Sequence, residues 1–351
     1  MLISVCIPHY NRSKYLLKVL ESISNQDHDE IETIISDDCS TDDSSKVIPE
    51  YIAALAGRCK VRFRYIRQSK NLGYDGNLRA SMAAAQGEFL FVLGNDDALA
   101  EKNTLSQLVA ILKKLGYPDV SFTKFHSYDN PKEVGRSVQK TVVIGSGPDV
   151  AVRVFRSFSF VGGIIIKNSV FREYDTSAYD GSVYVQMYLG ARIISAGGTV
   201  ASISTSMVAK DVKIAGEVVN SYLDVLATNN QQFRRQTGGL DQVGRVVCDA
   251  ILPYVPVASR QRYIRLIYGQ LLLFTYPYWL LNYRSHSVYR AAVNMALGCF
   301  PPNLVKDRKL TLYSHAYLLA HYFVSTSAGL VMPLKALEKM QGWVLKILRS
   351  K

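Results

Sequence analysis

Two adjacent carboxylates, Asp96 and Asp97, end the apolar run "EFLFVLG" of residues 88–94. Like charges in contact repel, so a buried strand that stops on such a doublet implies a cation or a set of donors facing it. Carboxylates at a strand end can hold Mg2+ or Mn2+, hard cations that prefer oxygen and bridge protein carboxylates to substrate phosphates. A second acidic pair, Asp37 and Asp38, follows the run "IETIIS" and is suited to accept from a nucleobase N–H or from ribose hydroxyls. Arg79, on a helical stretch between the two pairs, can meet a phosphate or a base carbonyl. The plain structural reading of "DDALAEKN" is a helix N-cap with a first-turn acid, but capping leaves the second pair unexplained.

Positioning these groups requires strands. "LISVCIP" is a continuous apolar run, as in a strand buried on both faces, and "IETIIS" and "EFLFVL" read the same way. "VRFRYIRQ" alternates Val61, Phe63 and Tyr65 with Arg62, Arg64 and Arg67, a one-sided strand. "SKYLLKVLESISNQ" spaces Leu16, Leu20 and Ile23 as a helix with Ser13 at its N-cap, and "YDGNLRASMAAAQG" reads as a helix ending at Gly87. Strands alternating with helices predict an α/β fold with a doubly wound, mostly parallel sheet. Ligands bind such sheets beyond the carboxyl ends of the strands. The clusters "PHYNR", "DDCSTDD" and "GNDD" follow three of those ends, so they are expected to share one crevice.

From about residue 215 the strand signals fade, which sets the expected division at 1–212 for the α/β domain and 213–351 for a helical region. The chain has 351 residues and a formal charge of +12. Residues 241–351 hold 14 Lys and Arg against 4 Asp and Glu, a net +10. That asymmetry points to a polyanionic partner, an anionic membrane surface or nucleic acid. Leu266–Tyr283 is an 18-residue uncharged stretch bracketed by Arg265 and Arg284, but Gln270, Thr275, Pro277 and Asn282 dilute it, favouring a buried or interfacial helix over a span. "KALEKMQGWVLKILRSK" puts Leu337, Met340, Val344 and Ile347 on one face of a basic amphipathic helix, with Trp343 near the border. No signal peptide is expected. Five scattered cysteines without ligand spacing fit reduced thiols, and six histidines without pairing argue against zinc.

The first strand-to-helix turn, "IPHYNRSKYL", has no glycine and the chain has no Walker-type loop, so neither a dinucleotide fold nor a P-loop is expected. Together, "SVCIPHYNR", "IISDDCSTDDS", "NLGYDGN" and "GEFLFVLGNDD", in this order and spacing, resemble the GT-A nucleotide-sugar glycosyltransferases of family 2 over residues 1 to about 210. The resemblance implies that Pro8, Tyr10, Asn11, Asp37 and Asp38 cradle the nucleoside of a nucleotide-sugar donor. Asn71, Gly73, Asn77 and Arg79 line its other side with Asn95. "GNDD" stands where the family carries a D-x-D motif, with Asp96 as principal ligand of Mn2+ or Mg2+, Asp97 beside it, and Gly94 where the first aspartate belongs.

The family's acidic base is also altered. In "DGSVYVQMYLGARIISAGG" the matching positions hold Val185 and Gln186, and Gln186 cannot act as a base. Either Asp180, about two turns earlier, takes that role, or the departing diphosphate accepts the proton on the same face, giving retention, while the Gln186 amide oxygen steadies an oxocarbenium-like centre. The second course, or another atypical one, is preferred. "GNDD" with a glutamine in the late helix is similar to the abequosyltransferase-like branch of O-antigen synthesis. That implies a hexose or deoxyhexose donor such as CDP-abequose, a lipid-linked oligosaccharide acceptor, and a peripheral place on the cytoplasmic face of the inner membrane. The rival readings are a nucleotidyltransferase, disfavoured by the glycine-free first loop, and a nucleic-acid-binding protein, disfavoured because the basic residues flank long apolar helices.

Overall fold

The computed structural model describes residues 1–136, 138–215 and 235–336. Contacts divide the chain into two compact units, Met1–Glu217 and Val218–Lys351.

The first unit is built on a ten-stranded sheet. Its strands are β1 (Ile3–His9), β2 (Ile31–Asp37), β3 (Arg62–Arg67), β4 (Phe89–Val92), β5 (Ala98–Leu99), β6 (Val120–Ser127), β7 (Val134–Gly135), β8 (Val142–Gly145), β9 (Ile164–Lys167) and β10 (Val200–Lys210). The order is β3-β2-β1-β4-β9-β6-β10-β5, with β7 on β6 and β8 on β10. β3, β2, β1 and β4 are mutually parallel, as their buried apolar runs lead one to expect. The sheet turns mixed at β9, which pairs antiparallel with both β4 and β6. Helices α1 (Ser13–Ser24), α2 (Ser44–Leu55) and α3 (Gly73–Ala83) cross over between the first four strands, and α4 (Thr104–Lys114), α5 (Pro148–Val154), α6 (Asn168–Tyr174) and α7 (Val185–Ser195) follow. α1 buries Leu16, Leu20 and Ile23 against β1 side chains Ile3, Val5 and Ile7 in one core.

Local details differ from the sequence reading. Ser13 is the first residue of α1 and not its cap, because its hydroxyl donates to Asp43 (2.5 Å). α3 stops at Ala83, four residues short of Gly87, whose N–H is held by Ser4 and Glu32. No helix follows Asp97; the chain turns into β5, so the doublet caps nothing.

The register sets the site. His9 lies opposite Asp37 across β1 and β2, and β4 runs parallel to β1 from Phe89 opposite Ile3. β4 ends at Val92 opposite Cys6, three residues short of His9, but the three strands run in one direction and their loops emerge on one edge.

The described part of the second unit is helical from Leu240 to Val331, apart from short connections. The 18-residue uncharged stretch lies within one rod, an α-helix at Arg260–Gln270, a π turn at Leu271–Thr275 and an α-helix at Tyr276–Ser285. The π turn directly precedes Pro277, whose ring cannot donate an N–H to the ladder. Tyr268, Tyr276 and Tyr283 are fully buried on it. No helix among the described residues is long and apolar enough to cross a membrane. The amphipathic helix expected at the C-terminus, with Leu337, Met340, Trp343, Val344 and Ile347, lies outside the described residues.

Candidate active site

The loops after β1, β2 and β4 enclose a cleft of about 570 Å³ lined by Pro8, Tyr10, Asp38, Asn71, Gly73, Asn77, Asn95, Asp96 and Asp97. Nine of the expected residues thus meet in one place. The sequence reading did not single out Arg12, Tyr74, Phe160 and Val161, which complete the wall. Only the fold brings the last two there, through the turn before β9.

The acidic loop after β2 is braced from several sides. Asp38 accepts from the N–H of Leu72 (2.5 Å), tying β2 to the start of α3. Burial nevertheless pushes its carboxyl above the ordinary range. Asp37 is fully buried and does not line the cleft. It accepts from the N–H of Ser40 (2.9 Å) and from the Tyr65 hydroxyl, so it shapes the loop that presents Asp38. Asn11 does similar work: its side-chain oxygen accepts from the N–H of Thr41 (2.7 Å) and Asp42 (3.2 Å). Asn77 anchors the floor, donating to the carbonyls of Ser36 (2.9 Å) and His9 (3.2 Å). His9 is fully buried, between Ser44 Oγ (2.7 Å from Nε2) and Asn95 Nδ2 (3.2 Å from Nδ1). Burial lowers its pKa, keeping the ring neutral so that Nδ1 can accept from Asn95 while Nε2–H donates to Ser44.

The doublet has its positive neighbour. Arg12, at the start of α1, forms an ion pair with Asp96. Asp97 is buried, and its nearest donor is the N–H of Asp211 at 3.2 Å. Burial, with the charge of Asp96 added, raises its carboxyl to about 8. Both carboxylates face Gly94: a Cβ there would sit 2.7 Å from Asp97 Oδ2 and 3.2 Å from Asp96 Oδ1. Hence a side chain at position 94 would have to displace the Asp97 carboxylate, which fills the space beside it. Gly162 is crowded too, since a Cβ there would lie 2.7 Å from the Phe160 ring and 3.0 Å from Asp97 Oδ2, while Gly163, at φ +75°, packs on Thr123. The carbonyls of Phe160 and Gly162 are gripped by Arg136, whose buried guanidinium sits 5.6 Å from the Phe125 and Phe160 rings.

Arg79, Asp180 and Gln186 stand outside the cleft. Arg79 lines a neighbouring hollow of about 470 Å³ that shares Asn71 with the cleft. Its guanidinium is engaged by Asp175 (2.6 Å) and Asp180 (2.8 Å), so two carboxylates hold it away from the nucleoside position expected for it. Gln186 is buried on the first turn of α7, and its side-chain oxygen accepts no hydrogen bond among the described residues. That turn is fixed by a residue not foreseen, Asp75, which accepts from the N–H of Val183 (2.6 Å) and Val185 (3.1 Å). Val183 has φ 69°, a costly conformation for a β-branched side chain, and the Asp75 contact helps hold it. The capping pair is 108 residues apart in sequence, so no local pattern could announce it.

Among the described residues no group of three or more His, Cys, Asp or Glu is placed to hold a metal. The donors available are the two carboxylates around Gly94. A buried carboxyl raised to about 8 beside a second acid has unsatisfied demand for positive charge, so the donor chemistry fits a hard divalent cation that takes its remaining oxygens from a ligand.

Residues 4–174 match the family model described as "Glycosyl transferase family 2". This stretch is a family 2 glycosyltransferase domain. The domain and its open α/β sheet belong to the GT-A class, and several of its named relatives are glycosyltransferases. Abequosyltransferase RfbV of Salmonella typhimurium is 42% identical over 114 residues, 32% of this chain and 33% of that protein. The GalNAc(5)-diNAcBac-PP-undecaprenol beta-1,3-glucosyltransferase of Campylobacter jejuni is 36% identical over 97 residues, 28% of this chain and 30% of that protein. The chain spans about a third of the length of these curated relatives. The crystal structure of S. aureus TarS 1–349 in complex with UDP superposes with a TM-score of 0.61 at 18% identity, covering 93% of this chain and 91% of that one, a likeness of fold. The nucleotidyltransferase and nucleic-acid-binding readings are not favoured by the family 2 domain.

Proposed function

We propose that the protein transfers a hexose or deoxyhexose from a nucleotide sugar to a lipid-linked oligosaccharide during bacterial polysaccharide synthesis. It would work peripherally at the cytoplasmic face of the inner membrane. The observation that carries the reading is the single cleft joining Asp38 to Asp96 and Asp97. Asp38, Asn71, Gly73 and Asn77 form the nucleoside end, with Tyr10 as an exposed ring at the rim. Two relatives support the substrate classes: one is an abequosyltransferase and the other a glucosyltransferase named for a PP-undecaprenol-linked sugar.

Asp96 and Asp97 would hold Mn2+ or Mg2+. Bound there, the cation supplies charge neutralisation to the diphosphate leaving group. Arg12 adds a cation from the chain itself, close enough to Asp96 to serve the same phosphates. Phe160 and Val161, held by Arg136, close the wall of the cleft beside the doublet and limit water there.

The proton has few places to go. Asp180 is ion-paired with Arg79 and stands outside the cleft. Gln186 has no titratable group. The reading this supports is transfer without an enzymic base. The bond from the anomeric carbon to the diphosphate breaks, the acceptor oxygen bonds to that carbon from the same face, and its proton passes to a diphosphate oxygen. The product then retains the donor's configuration.

Two experiments test this. Unfolding midpoints measured with UDP, CDP, GDP and dTDP, each with Mn2+ or with EDTA, should single out one base and show a larger rise with the cation. No rise with any nucleotide would remove the reading. Asp180→Asn should keep turnover within about tenfold of wild type, because general-base loss typically costs 10²–10⁴-fold. A larger loss, or an inverted anomer by NMR of the product, would restore Asp180 as the base.

A further inference from the structure

In the second unit, two helices present apolar faces to solvent. On the helix Tyr289–Gly298, the exposed positions after Arg290 are Val293 and Leu297, and Phe300 follows just past its end. The helix Leu312–Val331 has no Asp, Glu, Lys or Arg in twenty residues. Its exposed positions include Tyr313, Ala316, Ala320, Phe323, Val324 and Val331, with Phe323 57%, Val324 65% and Val331 80% exposed. A solvated helix face ordinarily carries charge, and scattered exposed apolar residues need no explanation, but a run of them on adjacent helices does. The two faces are continuous. The Phe300 ring packs edge-on against Tyr322 (5.5 Å), Tyr322 packs against Phe323 (5.3 Å), and the Tyr322 hydroxyl donates to the carbonyl of Ala296 (2.9 Å).

The charges around this surface select its occupant. Residues 252–336 hold nine Lys and Arg against one acid, Asp307. Lys306 and Lys309 precede the long helix and Lys335 follows it, while Arg290 and Tyr289 stand at the start of the shorter one. A second copy of the same face would bring two strongly cationic surfaces together, which repulsion opposes. An anionic bilayer surface offers hydrocarbon to the apolar face and opposite charge to its borders, with Tyr289 and Tyr313 suited to headgroup depth. Because no described helix can span, the surface lies on the bilayer and not across it.

We propose that the face formed by Val293, Leu297, Phe300, Phe323 and Val324 docks this unit onto an anionic membrane surface. The proposal rests on the peripheral membrane placement proposed above and names its surface; it is read without any substrate, so it can fail while the transfer reaction stands. Full-length protein is mixed with vesicles of phosphatidylglycerol and phosphatidylethanolamine, or of phosphatidylcholine alone, and sedimented. Wild type should bind the anionic vesicles and weaken as salt is raised. Leu297→Glu/Phe323→Glu should bind at least about tenfold more weakly. The charge-matched control Val142→Glu/Val257→Glu, at exposed valines off this face, should stay within about twofold. If circular dichroism shows that the glutamate pair does not fold, Leu297→Ser/Phe323→Ser decides, with weaker binding again expected. Binding unchanged in a folded variant overturns the proposal. So does a wild-type dimer in sedimentation velocity that the same substitutions dissociate, since the occupant would then be a second copy.

Discussion

Asp96 carries a charge whose value depends on what faces it. In the cleft it lies between Arg12 and the space beside Gly94, so its loss removes an oxygen from the proposed cation site and the ion pair to Arg12. Asp96→Asn should lower turnover by about 10²–10³-fold, the usual cost of deleting one electrostatic contact to a developing charge. The measurement is initial rate with saturating donor, beside an unfolding curve showing an intact fold; near-wild-type rates would remove Asp96 from the machinery. His9 makes a different prediction. Its folded pKa is lowered by burial from 6.5, so the proton is bound more readily by the unfolded chain. Its contribution to stability is present above pH 6.5 and is lost as pH falls through the lower folded value. The stability advantage of wild type over His9→Gln should therefore shrink below pH 6.5 in urea unfolding; a constant difference would show that the ring does not titrate on unfolding. Sequence alone could propose Asp38 and Asp96 because acids at strand ends are conspicuous. It could not separate Asp38 from Asp37, since adjacent residues point to opposite sides, and only the contacts to Ser40 and Tyr65 show which one turns inward.

At the scale of elements, α7 matters most, because Gln186 sits on its first turn. Its start is held by Asp75 on α3, which accepts from two backbone N–H groups and braces Val183 in an unfavourable backbone conformation. Asp75→Ala would leave the buried N–H of Val185 without this acceptor and release the half-buried N–H of Val183. The expected loss is about 3 kcal/mol in urea unfolding, from two charge-assisted bonds and the cap. A change under about 0.5 kcal/mol, the range of an ordinary surface substitution, would mean the turn is held by other contacts. The strands β1, β2 and β4 were legible because strands buried on both faces read as unbroken apolar runs. The caps were not, because Asp43 and Asp75 act on residues distant in sequence.

For the whole molecule, ligand binding and stability are one equilibrium. A nucleotide diphosphate at about a hundred times its dissociation constant should raise the unfolding free energy by about 2.7 kcal/mol. Because Asp97 is buried with its carboxyl pushed up to about 8, a bound cation should enlarge that gain most at higher pH, where the group is otherwise ionised without compensation. The charge of the chain is divided unequally, with a net +10 in residues 241–351. Composition therefore pointed to an anionic partner, and the basic amphipathic helix expected at the C-terminus lies outside the described residues. Much of Leu266–Tyr283 is buried, one of the two courses expected for it, while the helix Leu312–Val331, whose lack of charge periodicity made it unremarkable as sequence, is exposed along one face.

The order of strands and helices, the crevice at the strand ends and the acidic pairs that meet there were written in the chain itself, because periodicity and strand-end chemistry are local. Which acid lines the cleft, what crowds position 94, and that Arg79 and Asp180 satisfy each other were decided by tertiary structure. Each depends on the distance between side chains that the sequence separates by up to a hundred residues or fixes only through packing.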